Sequence, residues 1–149
     1  MYSMNATQDL TDRATAVRRV PSPRYLLADD DPDMRGWLRH ALGRSGAQAE
    51  WASNGVELLG RLADDGPFDL VVTDLRMPTI TGLQVLAMAR TAGLRTPFLV
   101  VTAFADDAVR AAVARLGPAV IAAKPLAADR FVALARSLAG RRDGDRSQR

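Results

Sequence analysis

Four apolar stretches of this 149-residue chain each end in a residue able to do chemistry. Leu26-Leu27-Ala28 ends in Asp29 and Asp30, Leu70-Val71-Val72-Thr73 in Asp74, residues 98–101 in Thr102, and residues 120–123 in Lys124. Short continuous apolar runs suit strands buried on both faces, and the carboxyl ends of parallel strands gather at the sheet edge where ligands bind. On that arrangement three carboxylates, a hydroxyl and an ammonium share one pocket. Carboxylates without histidine or cysteine beside them favour a hard, oxygen-seeking ion. Mg²⁺ is the natural choice because it keeps several waters and needs few carboxylates, whereas Ca²⁺ asks for more protein oxygens. Such an ion beside a carboxylate and an ammonium is the equipment of phosphoryl transfer, where catalysis is mostly positioning and charge neutralisation.

Lys124 is the only lysine in a chain whose other basic residues are all arginine. A compact, strongly hydrated ammonium does what a planar guanidinium cannot, so its place at a strand end, before Pro125, marks a site that needs a point charge. The acidic run divides by role. Asp31 precedes Pro32 and suits an N-cap, and Asp33 in the first turn suits the helix dipole. Asp29 and Asp30 have no such local reason, and adjacent carboxylates tolerate burial only near a cation. The competing reading is a solvated acidic turn, against which stands Asp74 at the end of a second apolar run.

The length suits one domain with a single sizeable core. The chain is 48% hydrophobic and 25% charged, an ordinary globular balance, and no apolar run approaches the ~18 residues of a membrane span. It has no cysteine, hence no disulfide, and its first 24 residues lack the apolar centre of a secretory signal, so the expected address is cytoplasmic. Residues 1–24 and 141–149 each hold four Arg against two Asp. Removing +2 for each end from the net +3 leaves −1 for the rest, which argues against a nucleic-acid-binding face on the domain.

Residues 1–23 lack periodicity and close with Pro21-Ser22-Pro23, which reads as a flexible arm, and residues 141–149 read as a flexible basic tail. Residues 24–140 form the domain. There strand and helix alternate five times, which predicts a doubly wound five-stranded parallel sheet with helices on both faces. Strands are expected at residues 24–28, 48–52, 70–73, 97–101 and 120–123. The first helix carries Met34, Trp37, Leu38, Ala41 and Leu42 on one stripe and is stopped by Gly43 or Gly46. Asn54 caps the second, with Glu57 reaching back to it; Thr81 and Gln84 form a capping box for the third. Val109, Ala112, Val113 and Leu116 stripe the fourth, and Phe131, Leu134, Ala135 and Leu138 the fifth. His40 falls on a solvated helix face, and Trp37 and Trp51 belong to the core or its edge.

Taken together, Leu26-Leu27-Ala28-Asp29-Asp30-Asp31-Pro32, residues 69–78 ending in Met77-Pro78, Gly82, Val100-Val101-Thr102-Ala103 and Lys124-Pro125 resemble the receiver domains of bacterial two-component response regulators. The likeness spans roughly residues 24–139 and is closest in kind to stand-alone, chemotaxis-type receivers. It implies the (βα)5 flavodoxin-like fold with strand order 2-1-3-4-5. It also implies that Asp74 accepts a phosphoryl group from a histidine kinase or phosphotransfer protein. Mg²⁺ would be held by Asp30 directly, by Asp29 through water, by Asp74 and by the backbone carbonyl of Arg76. Thr102 and Lys124 would each bind a phosphoryl oxygen, and the face of the fourth helix, fifth strand and fifth helix would present the change to a downstream protein or pass the phosphoryl group on.

No effector domain is expected after residue 139, no membrane or nucleic-acid partner is expected, and the chain is read as a monomer or weak dimer that catalyses only its own modification. One departure stands out. Three residues before Lys124 the family commonly carries Tyr or Phe, but this chain has Ile121, which puts an aromatic switch there in doubt. Arg76 and Phe104 occupy positions that in the family influence loss of the phosphoryl group, and a long cation and a bulky ring near that group would restrict attacking water, which implies a fairly long-lived phosphoryl state. Three alternatives compete with this reading. A receiver-like module acting without phosphorylation is one. A phosphohydrolase with an aspartyl-phosphate intermediate needs an acid two residues after the nucleophile, where this chain has Arg76. A nucleotide-binding domain needs a glycine-rich loop where this chain has acid.

Overall fold

The structure, a computed structural model, describes the backbone of residues 22–147 and the side chains of residues 22–140. Most of the arm expected over residues 1–23 therefore lies outside the described residues. Ten elements alternate without exception: β1 (Arg24–Ala28), α1 (Pro32–Leu42), β2 (Gln48–Ala52), α2 (Gly55–Asp64), β3 (Leu70–Thr73), α3 (Gly82–Thr91), β4 (Phe98–Thr102), α4 (Asp107–Arg115), β5 (Ala119–Ala123) and α5 (Ala128–Ser147). All strand pairs are parallel, in the order β2-β1-β3-β4-β5. This is the expected doubly wound sheet, with the topological switch between β1 and β3. The backbone of α5 runs past residue 140 to Ser147, and the side chains of the expected tail, residues 141–149, are not described.

Strand alternation sorts the core into two layers. Tyr25, Leu27, Leu70, Val72, Leu99 and Val101 face α1 and α5, meeting Leu38, Leu42, Phe131, Ala135 and Leu138. Leu26, Ala28, Val71 and Phe98 face the opposite side, meeting Leu58 and Leu62 of α2, Val85 and Leu86 of α3, and Val113 of α4. The second layer thins towards β5: Val113 is the single fully buried residue of α4, and Ala119, Val120 and Ile121 are half-buried. Trp37 and Trp51 pack at the edge of the first layer, and His40 is exposed.

Local signals end the helices as read, with small differences. Asp31, Asn54 and Thr81 cap helices as expected, Thr81 with Gln84 closing a reciprocal capping box, and Asp106, not expected as a cap, caps α4. Glu57 reaches one residue further back than expected and accepts from the Ser53 N–H at 3.0 Å. That bond holds its carboxyl below the usual carboxylate range. β4 extends through Thr102, because Thr102 pairs with Ala123 and its carbonyl accepts from the Lys124 N–H at 2.9 Å.

Two glycines allow close approach near the strand ends. A Cβ on Gly82 would lie 2.1 Å from the Asp74 carbonyl oxygen, and one on Gly55 would lie 2.3 Å from that of Ile80. Both contacts are with backbone, which cannot yield as a side chain does. Arg90 provides a different fixture: its guanidinium donates to the carbonyls of Leu116 (2.7 Å), Leu94 (2.7 Å) and Pro118 (3.0 Å), pinning the α4–β5 turn to α3. Burial, with the nearby charge of Arg95, lowers its pKa to about 10, so it remains a cation at neutral pH.

These observations separate two glycines that sit in helices. Gly82→Ala is expected to cost about 1–3 kcal/mol of unfolding free energy, the usual penalty for overpacking. Gly36→Ala in α1 meets nothing within 4 Å and is expected to gain ~0.5–1 kcal/mol from helix propensity alone. Urea denaturation of both variants checks the opposite signs.

Candidate functional site

The register of the sheet brings the four strand ends to one edge. Ala28 pairs with Thr73, which sets Asp29 beside Asp74, and Thr102 pairs with Ala123, which sets Lys124 beside Thr102. Lys124 leaves the edge strand β5 and must cross β4 to reach β3, about 10 Å at ~4.8 Å per strand. Its flexible four-carbon stem covers most of that span, and the Asp74 carboxylate reaches back over the rest. Nζ donates to Asp74 Oδ2 at 2.7 Å and to Asp29 Oδ2 at 3.4 Å. Residues 95 positions apart in the chain thus meet in one ion pair.

Asp29 is buried, and its other oxygen, Oδ1, accepts from the Asp31 N–H at 2.9 Å, which shapes the turn into α1. Burial raises its pKa above 3.8, the Asp74 charge adds to the rise, and the Asp31 N–H and Lys124 oppose it. Burial works against the Lys124 charge, yet the bond to Asp74 and the two carboxylates outweigh it and raise its pKa above 10.5. Asp74 Oδ1 accepts from the Arg76 N–H at 3.3 Å. Thr102 is fully buried, and its Oγ1 accepts from the Phe104 N–H at 3.2 Å.

Asp29, Asp74 and Lys124 therefore touch one another, and Thr102 adjoins them through the backbone. Asp30, by contrast, is exposed: it is Asp29, the first of the pair, that turns into the cluster. Ile121 is half-buried against the α2–α4 layer. Arg76 and Phe104 are stacked on each other, the guanidinium carbon 3.5 Å from the ring centroid. Their loops are far apart in the chain, so no local pattern announces that contact. The packing of Gly82 against Asp74 is equally silent in the sequence, apart from the glycine itself.

The donor set suits a small hard cation. Among the described residues no three acidic or imidazole side chains gather closely enough to hold a metal by themselves, but Mg²⁺ takes one or two carboxylates and fills the remainder with water. Asp29 and Asp74 are two carboxylates already near enough to share one ammonium. Asp30, on the exposed turn, and the Arg76 carbonyl are the further oxygens at hand.

A profile of the response regulator receiver domain matches residues 25–136. The chain belongs to the response regulator receiver family. Among curated relatives, Response regulator MprA of Mycobacterium bovis (strain BCG / Pasteur 1173P2) is 38% identical over 117 residues, covering 78% of this chain and 50% of the relative. Response regulator MprA of Mycobacterium sp. (strain KMS) is 37% identical over 122 residues, covering 82% and 53%. The receiver thus spans about half the length of these relatives. Among solved structures, a CheY-like receiver domain protein from Methanospirillum hungatei JF-1 superposes with a TM-score of 0.76 at 20% identity, covering 83% of this chain and 98% of the other. The receiver domain of the Francisella response regulator 1452 gives 0.75 at 23%, covering 80% and 98%. At those identities the likeness is one of fold. Receivers are in general Mg²⁺-dependent signalling domains rather than metabolic enzymes, with histidine kinases or phosphotransfer proteins as their usual partners. No helix among the described residues is long and apolar enough to cross a membrane.

Removing the shared ammonium tests the cluster. Lys124→Met leaves two facing carboxylates without their donor and is expected to lower stability by about 1–3 kcal/mol at neutral pH. The Lys124 pKa is raised on folding, so its stabilisation is present below 10.5 and fades as pH climbs past that value. The gap between wild type and variant in urea denaturation should narrow accordingly above that pH.

Proposed function

We propose that this receiver accepts a phosphoryl group on Asp74 from a histidine kinase or histidine phosphotransfer protein, with Asp29, Asp30, Asp74 and the Arg76 carbonyl holding Mg²⁺. The observation that carries the reading is the Lys124 ammonium bridging Asp29 and Asp74. Two carboxylates held close by one ammonium on a largely buried edge form a site suited to a cation and, beside it, to a group that is itself anionic.

An Asp74 carboxylate oxygen attacks phosphorus in line. The new O–P bond forms as the donor's P–N bond breaks, and the electron pair leaves with the imidazole nitrogen, which takes up a proton from solvent. When bound, the metal supplies charge neutralisation for the phosphoryl oxygens. Lys124, already within hydrogen-bond reach of Asp74, turns its ammonium from carboxylate to phosphoryl oxygen. Thr102 exchanges its bond with the Phe104 N–H for one it donates to another phosphoryl oxygen. The added charge and acceptor oxygens then favour a different packing of the loops after β4 and β5.

The face of α4, β5 and α5 is the proposed output surface for a downstream protein. Its support is thin packing: α4 buries one residue fully and three apolar residues of β5 are half-buried, so small shifts there disturb few contacts. The proposal extends to the domain and not to any longer protein.

Incubation with acetyl phosphate and Mg²⁺, followed by intact-mass measurement, tests the reading. A single phosphoryl adduct is expected for wild type, and none for Asp74→Asn or in the presence of EDTA. Folded wild-type protein that takes up no phosphoryl group from acetyl phosphate or a phosphorylated histidine kinase would sink the proposal and favour a module that binds without modification.

A further inference from the structure

We infer that Phe104, rather than residue 121, is the aromatic side chain that moves when the site is charged. Its ring leaves Arg76 and enters the groove between the β3–α3 and β4–α4 loops. The inference rests on the proposed modification of Asp74.

Phe104 is one of the few exposed large apolar residues of the described chain, at 51% of its surface. Two ties hold it. Its N–H donates to Thr102 Oγ1 at 3.2 Å, and its ring lies under the Arg76 guanidinium at 3.5 Å. Both tie-points are bound to the reacting residue's neighbourhood: Thr102 ends β4 beside Lys124, and the Arg76 N–H donates to Asp74 Oδ1 at 3.3 Å. A dianionic group on Asp74 competes for each. A threonine hydroxyl that donates to a phosphoryl oxygen reorients, and its bond with the Phe104 N–H is lost. A guanidinium close to a phosphoryl group gains a charge-assisted bond, which is stronger than a stack between exposed groups.

With both ties cut, half of a phenyl ring faces water without its cover. Beside it lies an open groove of about 560 Å³ lined on its apolar side by Leu75, Leu83, Ala105 and Val109. Rotation into that groove removes the ring from water and presses on Val109, in the first turns of α4. The movement thereby reaches the thinly packed helix of the proposed output face. Ile121 has no comparable latitude: it is aliphatic, half-buried and paired in register with Val100.

The protein has four phenylalanines, and Phe68, Phe98 and Phe131 are fully buried. In protein labelled with 4-fluorophenylalanine, the single ¹⁹F resonance that shifts between H₂O and D₂O is therefore Phe104, and its loss in Phe104→Leu assigns it. Acetyl phosphate and Mg²⁺ are then added; Asp74 takes the phosphoryl group as the P–O bond to acetate breaks and acetate leaves with the electron pair. Intact mass gives the fraction modified. The expected result is a new Phe104 resonance, in proportion to the adduct, that has lost at least half of its solvent isotope shift. Val109→Trp, which fills the groove away from the reacting residues, should form the adduct yet keep Phe104 exposed. A full adduct with an unchanged Phe104 resonance overturns the inference alone, as does a Val109→Trp protein that responds like wild type. Absence of any adduct overturns the reading of Asp74, and this inference with it.

Discussion

Two carboxylates at the ends of adjacent strands repel each other, and the geometry of this receiver rests on a single ammonium that reaches them from the far side of the sheet. Lys124 lies on the edge strand β5, yet its Nζ sits between Asp74 and Asp29. The contact demands the strand order β1-β3-β4-β5 and a register that brings all four ends level with one another. It also explains why the two acids raise rather than lower the pKa of the lysine despite its partial burial. On the proposed function, binding a dication and an anionic group in turn would draw on such a reserve of charge, positioned before either arrives.

Around this pair the backbone is fixed with unusual economy. The Asp31 N–H fastens Asp29, the Arg76 N–H fastens Asp74, and the Phe104 N–H fastens Thr102. In each case the amide two residues beyond a site residue binds that residue's side chain, so a loop follows whatever the side chain does. Gly82 lets α3 start against the Asp74 carbonyl, and Arg90 pins the α4–β5 turn to α3. Apart from that tied turn, α4 and β5 bury little of their surface fully.

Particular residues show where the sequence was legible. Asp31, Asn54 and Thr81 cap helices because a cap needs only a side chain and an amide two or three positions on. Glu57 illustrates the limit of that logic: its partner is Ser53 and not Asn54, since the choice between neighbouring amides depends on the strand that leads into the helix. Asp29 and Asp30 are indistinguishable by type, and only the turn that leaves β1 directs the first inwards and leaves the second exposed. The stack of Arg76 on Phe104 joins two loops 28 positions apart and has no local signature.

By itself the amino-acid order determined the alternation of strand and helix, the caps of the first three helices, and the family, because burial periodicity, caps and short motifs are written within a few neighbouring positions. Only the tertiary structure decided which of two adjacent acids faces the cluster, that one ammonium serves two carboxylates, and that a cation covers the exposed ring. Those outcomes depend on strand register and on distances across the sheet, to which residues from remote parts of the chain contribute equally.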